Sequence, residues 1–144
     1  MCGIAGILHY NNQPVAHSHI KAMTDILYHR GPDGEGHYID RFLGLGHRRL
    51  AIIDLSPAGH QPMQTADGHF VMTYNGELYN YKEIRSELQA NGYNFHTNTD
   101  SEVVLKSYAY WGEKCIDKFN GMFALAIWDK RDERLFLAGD RYGI

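Results

Sequence analysis

Cys2 is the residue with the greatest reactive potential in this 144-residue chain. Free cysteines are usually buried packing residues, and Cys2 admits that reading. Its place directly behind the initiator methionine admits a second. Methionine ahead of a small residue is commonly trimmed, and removal here makes Cys2 the N-terminal residue. The thiol then shares its residue with an α-amine of ordinary pKa about 7.7–8.0, close enough to neutrality to take up a proton. Nucleophile and base on one residue is the arrangement of the N-terminal threonine hydrolases. Cys115, within Glu113-Lys114-Cys115-Ile116-Asp117, lacks that advantage and is predicted to pack inside a helix.

A thiolate attacking a carbonyl needs donors for the oxyanion that develops. Asn75-Gly76, in Tyr74-Asn75-Gly76-Glu77, is predicted to form a tight turn at a strand end, since both residues tolerate positive φ. The same dipeptide offers a side-chain amide and a backbone N–H, donors worth roughly 3–4 kcal/mol each in acyl transfer. Arg49 carries a planar fork suited to a carboxylate. Asp100 opens a predicted helix, where its carboxylate either caps that helix or meets a cationic substrate group. Taken singly, Arg49 and Asp100 fit structural or solvated roles better than functional ones. None of the nine histidines falls in a metal-binding signature such as His-Glu-x-x-His, so no metal site is expected.

Composition narrows the class of protein that must position these groups. With 44% hydrophobic residues and 18 aromatics (Tyr 10, Phe 6, Trp 2), there is ample surface to bury and little sign of disorder. Fourteen Lys and Arg against seventeen Asp and Glu leave a net charge of −3, which argues against a nucleic-acid binder. No apolar run approaches the ~20 residues of a membrane span, and the opening Met1-Cys2-Gly3-Ile4, with no basic segment ahead of a long apolar stretch, gives no expectation of a secretory leader. Two cysteines fit a reducing compartment, so a cytoplasmic location is expected.

The elements follow from periodicity and punctuation. A strand is predicted over 4–10, then a helix over 19–28 with Ile20, Met23, Ile26 and Leu27 on its buried face. Gly31-Pro32-Asp33-Gly34 is a turn signal, and extended segments are expected over 37–39, 43–53 and 70–74. Asn80 with Glu83, and Thr99 with Glu102, are capping boxes ahead of two further helices, the first stopping at Gly92. The apolar runs 122–128 and 135–138 form a hairpin whose strands are expected to be covered on both faces. The chain stops at Ile144 straight after such a strand, as a truncated chain would. A 1–144 polypeptide is therefore expected to leave an apolar face and strand edges open.

Six segments in order resemble one family. They are Met1-Cys2-Gly3-Ile4-Ala5-Gly6; His29-Arg30-Gly31-Pro32-Asp33-Gly34; His47-Arg48-Arg49-Leu50-Ala51-Ile52-Ile53-Asp54 with Gly59-His60-Gln61-Pro62; Tyr74-Asn75-Gly76-Glu77-Leu78-Tyr79-Asn80; Thr99-Asp100-Ser101-Glu102; and Gly121-Met122-Phe123-Ala124-Leu125-Ala126. Together they resemble the glutamine amidotransferase domain of glutamine-hydrolysing asparagine synthetase, a class II amidotransferase of the N-terminal-nucleophile hydrolase superfamily. The resemblance spans essentially the whole chain.

It implies an α+β fold, a four-layer αββα sandwich left incomplete at the C-terminus. It implies that Cys2 attacks the side-chain amide of glutamine while Asn75 and Gly76 hold the oxyanion. Arg49 would bind the substrate α-carboxylate, Asp100 and Glu77 its α-ammonium group, and Ile52 and Ile53 would line the glutamine site. A γ-glutamyl thioester would form and hydrolyse, releasing ammonia and then glutamate. In the complete enzyme the ammonia passes to a synthetase domain in cis, where ATP and Mg activate aspartate; that domain lies outside residues 1–144, and the chain itself carries no cofactor. A homodimer is compatible with this reading. Two alternatives remain: delivery of ammonia to another acceptor, in amino-sugar or phosphoribosylamine synthesis, and a non-catalytic module of the same fold. The family often has Arg where this chain has Gly139.

Overall fold

The computed structural model describes residues 1–52 and 57–143. The strand expected near the N-terminus is β1 (Gly3–Leu8), followed by helix α1 (His17–Ile26), β2 (Gly34–Asp40) and β3 (Leu43–Arg49). These strands form an antiparallel sheet in the order β1-β3-β2. After the two-residue strand β4 (Met63–Gln64) come β5 (Phe70–Leu78), helices α2 (Tyr81–Ala90) and α3 (Asp100–Trp111), a 3₁₀ segment (Gly112–Lys118), and the hairpin β6 (Gly121–Asp129) and β7 (Arg134–Gly139). The second antiparallel sheet runs β4-β5-β6-β7.

Alternation along the strands assigns the layers. On β5, Val71 joins Leu43, Leu45, Ala126 and Trp128 in a core between the two sheets. Met72, Tyr74 and Leu78 join Ile84, Leu88 and Val103 to Leu105 in a core between the second sheet and α2/α3. Side chains cross from sheet to sheet: Thr73 Oγ1 donates to Gly46 O (3.2 Å), Trp128 Nε1 donates to Asp40 Oδ2 (2.9 Å), and His47 Nε2 meets Tyr74 O (3.1 Å). On the outer face of the first sheet, α1 lies so close that a Cβ at Gly44 or Gly46 would sit 2.6 Å from Ile20 or 2.5 Å from Thr24. The order of layers is helix, sheet, sheet, helices: the expected four-layer αββα sandwich.

Several local expectations are corrected. The buried face of α1 is Ile20 and Thr24; Met23 and Ile26 are exposed, Ile26 at 76%. Thr24 takes the inner place because its methyl fits against Gly46 while its hydroxyl bonds Lys21 O and the His37 ring. Asn80 caps α2 without a side-chain bond. Its amide instead donates to Lys118 O and accepts Asn120 N–H, tying α2 to the start of β6. Thr99 does cap α3, accepting Glu102 N–H at 3.3 Å, whereas the Glu102 carboxylate accepts His96 and Thr97 N–H. β6 is covered on both faces, but β7 is the outer strand of its sheet and Leu137 is 66% exposed.

Candidate active site

Strand β3 ends at Arg49, and β1 meets it in the register Gly3↔Arg48, so Cys2 emerges beside the end of β3. Leu50 N–H donates to Cys2 Sγ at 3.3 Å, and the thiol reaches Leu50 O at 3.7 Å. Arg30 Nε donates to Cys2 O (3.0 Å). Around the predicted turn, Asp33 N–H donates to Arg49 O (3.0 Å) and Ala51 N–H to Asp33 Oδ2 (2.9 Å). A Cβ at Gly31 would lie 2.4 Å from Arg48 O, so glycine lets this segment press against β3. The Arg30-to-Asp33 stretch thus straps Cys2 and the end of β3 together.

Asn75 and Gly76 do not form a turn. Both lie inside β5, paired with Ala124 and Phe123 of β6, because the ladder to β6 continues to Leu78. Glycine is needed at 76 for a different reason: a Cβ there would fall 2.5 Å from Met122 O and 2.6 Å from Phe123 Cβ. Phe123 turns its N–H and C=O to the far side, toward Asp140 (3.1 and 2.9 Å). In an antiparallel ladder the facing residue also turns away. The Gly76 N–H therefore points off the other edge of β5, the edge on which Tyr74 N–H meets Gln61 and Leu78 N–H meets Asp100. Asn75 shares with Val71 and Thr73 the face turned toward the first sheet. Its Oδ1 is buried with no hydrogen-bond partner.

Asp100 is 5% exposed. Its Oδ2 accepts the Tyr74 hydroxyl (3.0 Å) and Leu78 N–H (2.9 Å), so it is anchored by neutral donors rather than spent on the helix cap, which Thr99 supplies. Burial pushes its carboxyl above the usual range, opposed by those two bonds. Burial and the neighbouring Asp100 charge hold the Tyr74 phenol firmly protonated. Gly59 lies against the Arg49 guanidinium, where a Cβ would be 2.5 Å from Nη2.

A cavity of about 150 Å³ gathers these groups: Cys2, Arg49, Ile52, Asn75, Gly76, Glu77 and Asp100 all line it. The cavity has a positive pole at Arg49 and negative ones at Asp100 and Glu77, with the sulfur of Cys2 also on its wall. Ile53 falls outside the described residues. Gln61, Tyr74, Thr99 and Ser101 also line the cavity, and sequence reading gave them no part; only the polar Gly59-His60-Gln61-Pro62 segment carried a signal for Gln61. Cys115 is buried in the 3₁₀ segment, its thiol pushed up to about 12 by burial. Among the described residues no cluster of three His, Cys, Asp or Glu could hold a metal ion, and no helix is long and apolar enough to cross a membrane.

The sequence matches the glutamine amidotransferase domain family over residues 1–144. The chain belongs to that family. Glutamine-hydrolysing asparagine synthetase 1 of Bacillus subtilis is 43% identical over 149 residues, which cover all of this chain and 23% of the relative. The amidase chry2 of Gibberella zeae is 37% identical, again over all of this chain and 23% of the relative. The chain thus spans about a quarter of the length of these relatives. Among solved structures, the glutamine phosphoribosylpyrophosphate amidotransferase from Bacillus subtilis superposes with a TM-score of 0.77 at 18% identity, over 97% of this chain and 37% of that one. That likeness shows the fold: the amidotransferase domain has the four-layer αββα sandwich expected from its motifs.

Proposed function

We propose that this amidotransferase domain hydrolyses glutamine, with Cys2 as nucleophile once Met1 is removed. The observation that carries the reading is the single cavity on which the thiol, two prospective oxyanion donors and both poles of a zwitterion site converge. Arg49 takes the α-carboxylate and Asp100, with Glu77, the α-ammonium group, which turns the side-chain amide toward Cys2. The α-amine accepts the thiol proton as Sγ bonds to the amide carbon. The resulting oxyanion is held by the Asn75 side-chain amide and the Gly76 N–H. The C–N bond then breaks, the leaving nitrogen takes the proton, and ammonia departs from a γ-glutamyl thioester. Water attacks the thioester carbonyl, glutamate leaves and the thiol is restored.

The relatives support two readings of the acceptor. The asparagine synthetase at 43% identity supports delivery of ammonia to an ATP- and Mg-dependent amidation of aspartate, carried by a further domain of a longer protein. Among the described residues no cluster of His, Cys, Asp or Glu could hold a metal for that step, and its chemistry is assigned to that further domain. The amidase at 37% identity favours a second reading, in which the same glutaminase serves a different acceptor. Cys2→Ala in the full-length protein is expected to abolish glutamate release from glutamine. Undiminished hydrolysis in that variant, or a mature protein that retains Met1 by mass spectrometry, overturns the nucleophile assignment. Asparagine formation from aspartate, ATP and glutamine separates the two acceptors.

A further inference from the structure

The Asn75 side chain has no hydrogen bond at Oδ1 to aim it, so its direction rests on the backbone that carries it. The peptide just before it is held unusually. β4 pairs with β5 only through Met63↔Met72 and Gln64↔Val71, and a strand edge beyond its last partner ordinarily faces water. At Tyr74 the ladder is continued by a side chain instead. Tyr74 N–H donates to Gln61 Oε1 (2.6 Å), and Gln61 Nε2 donates back to Tyr74 O (3.1 Å). Gln61 is 4% exposed, and its amide also reaches Ser101 Oγ (3.4 Å). From the opposite sheet, His47 Nε2 approaches the same Tyr74 O at 3.1 Å. A carbonyl only accepts, so His47 carries its proton on Nε2 and leaves Nδ1 bare.

That arrangement has a penalty that packing does not explain. His47 Nδ1 is buried with no partner, and a bare buried acceptor is unfavourable. Leu45, two residues earlier on the same face, fills the inter-sheet core with no such defect. Among the described residues, the hydrogen bond that the His47 ring makes is the one to Tyr74 O.

We propose that His47 and Gln61 are positioning residues, a clamp on the Tyr74 peptide that holds the Asn75 amide and the Gly76 N–H in register with Cys2. This rests on the glutaminase reading above. Burial, with the nearby His60 and Arg49 charges, depresses the His47 pKa to about 4, so the clamp keeps its Nε2–H form throughout the neutral range. Asp100 keeps its second anchor, the Leu78 N–H, and among the described residues the bonds to the Tyr74 carbonyl come from Gln61 and His47, not Arg49, so loosening the clamp acts more on the chemical step than on binding.

The test uses the full-length protein and steady-state glutamine hydrolysis. His47→Leu and Gln61→Met are expected to lower kcat about 10–100-fold, short of or equal to the loss of one oxyanion donor, with KM for glutamine changed less than about threefold. His47→Gln, which again offers an N–H, is expected to recover most of the loss. The rate of Cys2 alkylation by iodoacetamide should match wild type in every variant. If His47→Leu or Gln61→Met fails to fold, Gln61→Glu decides: it keeps the acceptor for Tyr74 N–H, removes the donor to Tyr74 O, and should show the same kcat loss. Unchanged kcat, or a loss confined to KM, overturns the clamp. If these variants keep wild-type kcat while Cys2→Ala is inactive, the clamp fails and the glutaminase stands; if Cys2→Ala remains active, the glutaminase itself fails.

Discussion

Asp100 is a buried carboxyl on the cavity wall. A carboxylate 5% exposed and bonded only by neutral donors is harder to ionise folded than unfolded, hence its raised pKa. The sign follows: above that pKa its charge counts against folding, and the penalty is relieved as pH falls through it. Under the proposed glutaminase reading, an ammonium group in the cavity would compensate it. Asp100→Asn keeps an acceptor for the Tyr74 hydroxyl and Leu78 N–H but removes the charge. Its thermal midpoint at pH 7 should therefore equal or exceed that of wild type. KM for glutamine should rise about 10–100-fold, since a hydrogen bond to a charged group is worth about 1.5–3 kcal/mol. A lowered midpoint with unchanged KM would assign Asp100 to the fold alone.

Between elements, the closeness of α1 to the first sheet is decided by glycines rather than by large apolar residues. Gly46 has Thr24 Cγ2 within 2.5 Å of where its Cβ would stand, whereas the nearest atoms at Gly6 are 3.6 Å away. Gly46→Ala is expected to destabilise by about 1–3 kcal/mol through overpacking, and Gly6→Ala to be near neutral; equal melting temperatures for the two would contradict the packing. Arg48 seals the same contact. It is 8% exposed, donates to Thr24 O (2.9 Å) and Asp25 (2.6 Å), and pairs with Glu35. Periodicity along 19–28 counts apolar residues and has no means of seeing that the opposing sheet presents glycine. Hence Met23 and Ile26 were placed inside when Thr24 is the residue that fits. β5 shows the complementary failure: Asn-Gly is a turn signal locally, yet β6 pairs through it to Leu78, and the ladder outweighs the dipeptide's preference.

Over the whole molecule the two sheets are joined by polar crossings as well as by apolar packing, and one of them titrates. His47 lies between the sheets at 1% exposure, its pKa depressed to about 4 from 6.5 chiefly by burial. Below 6.5 the unfolded chain binds a proton that the folded one refuses, so stability is fully present above about 6.5 and is lost as pH falls toward 4. The loss over that window is on the order of 3 kcal/mol. It should appear as a falling thermal midpoint between pH 6.5 and 4, followed through Trp128 at the same inter-sheet core. His47→Gln should flatten that slope. An unchanged slope would place the acid-sensitive group elsewhere.

The identities and order of the motifs determined the family, the layered fold and several of the residues that line the cavity, Cys2, Arg49, Ile52, Asn75, Gly76, Glu77 and Asp100 among them. Cys2, Arg49, Asn75, Gly76 and Asp100 are chemically legible because their reactive groups belong to the residue itself. How they are held was decided only by tertiary structure. The route of the Gly76 N–H off the edge of β5, the replacement of a ladder partner by the Gln61 amide, and the reach of His47 from the other sheet join residues 13 to 27 positions apart. Such pairings depend on sheet register and on which edge remains open, quantities set by the packing of distant segments and absent from any local pattern of residue types.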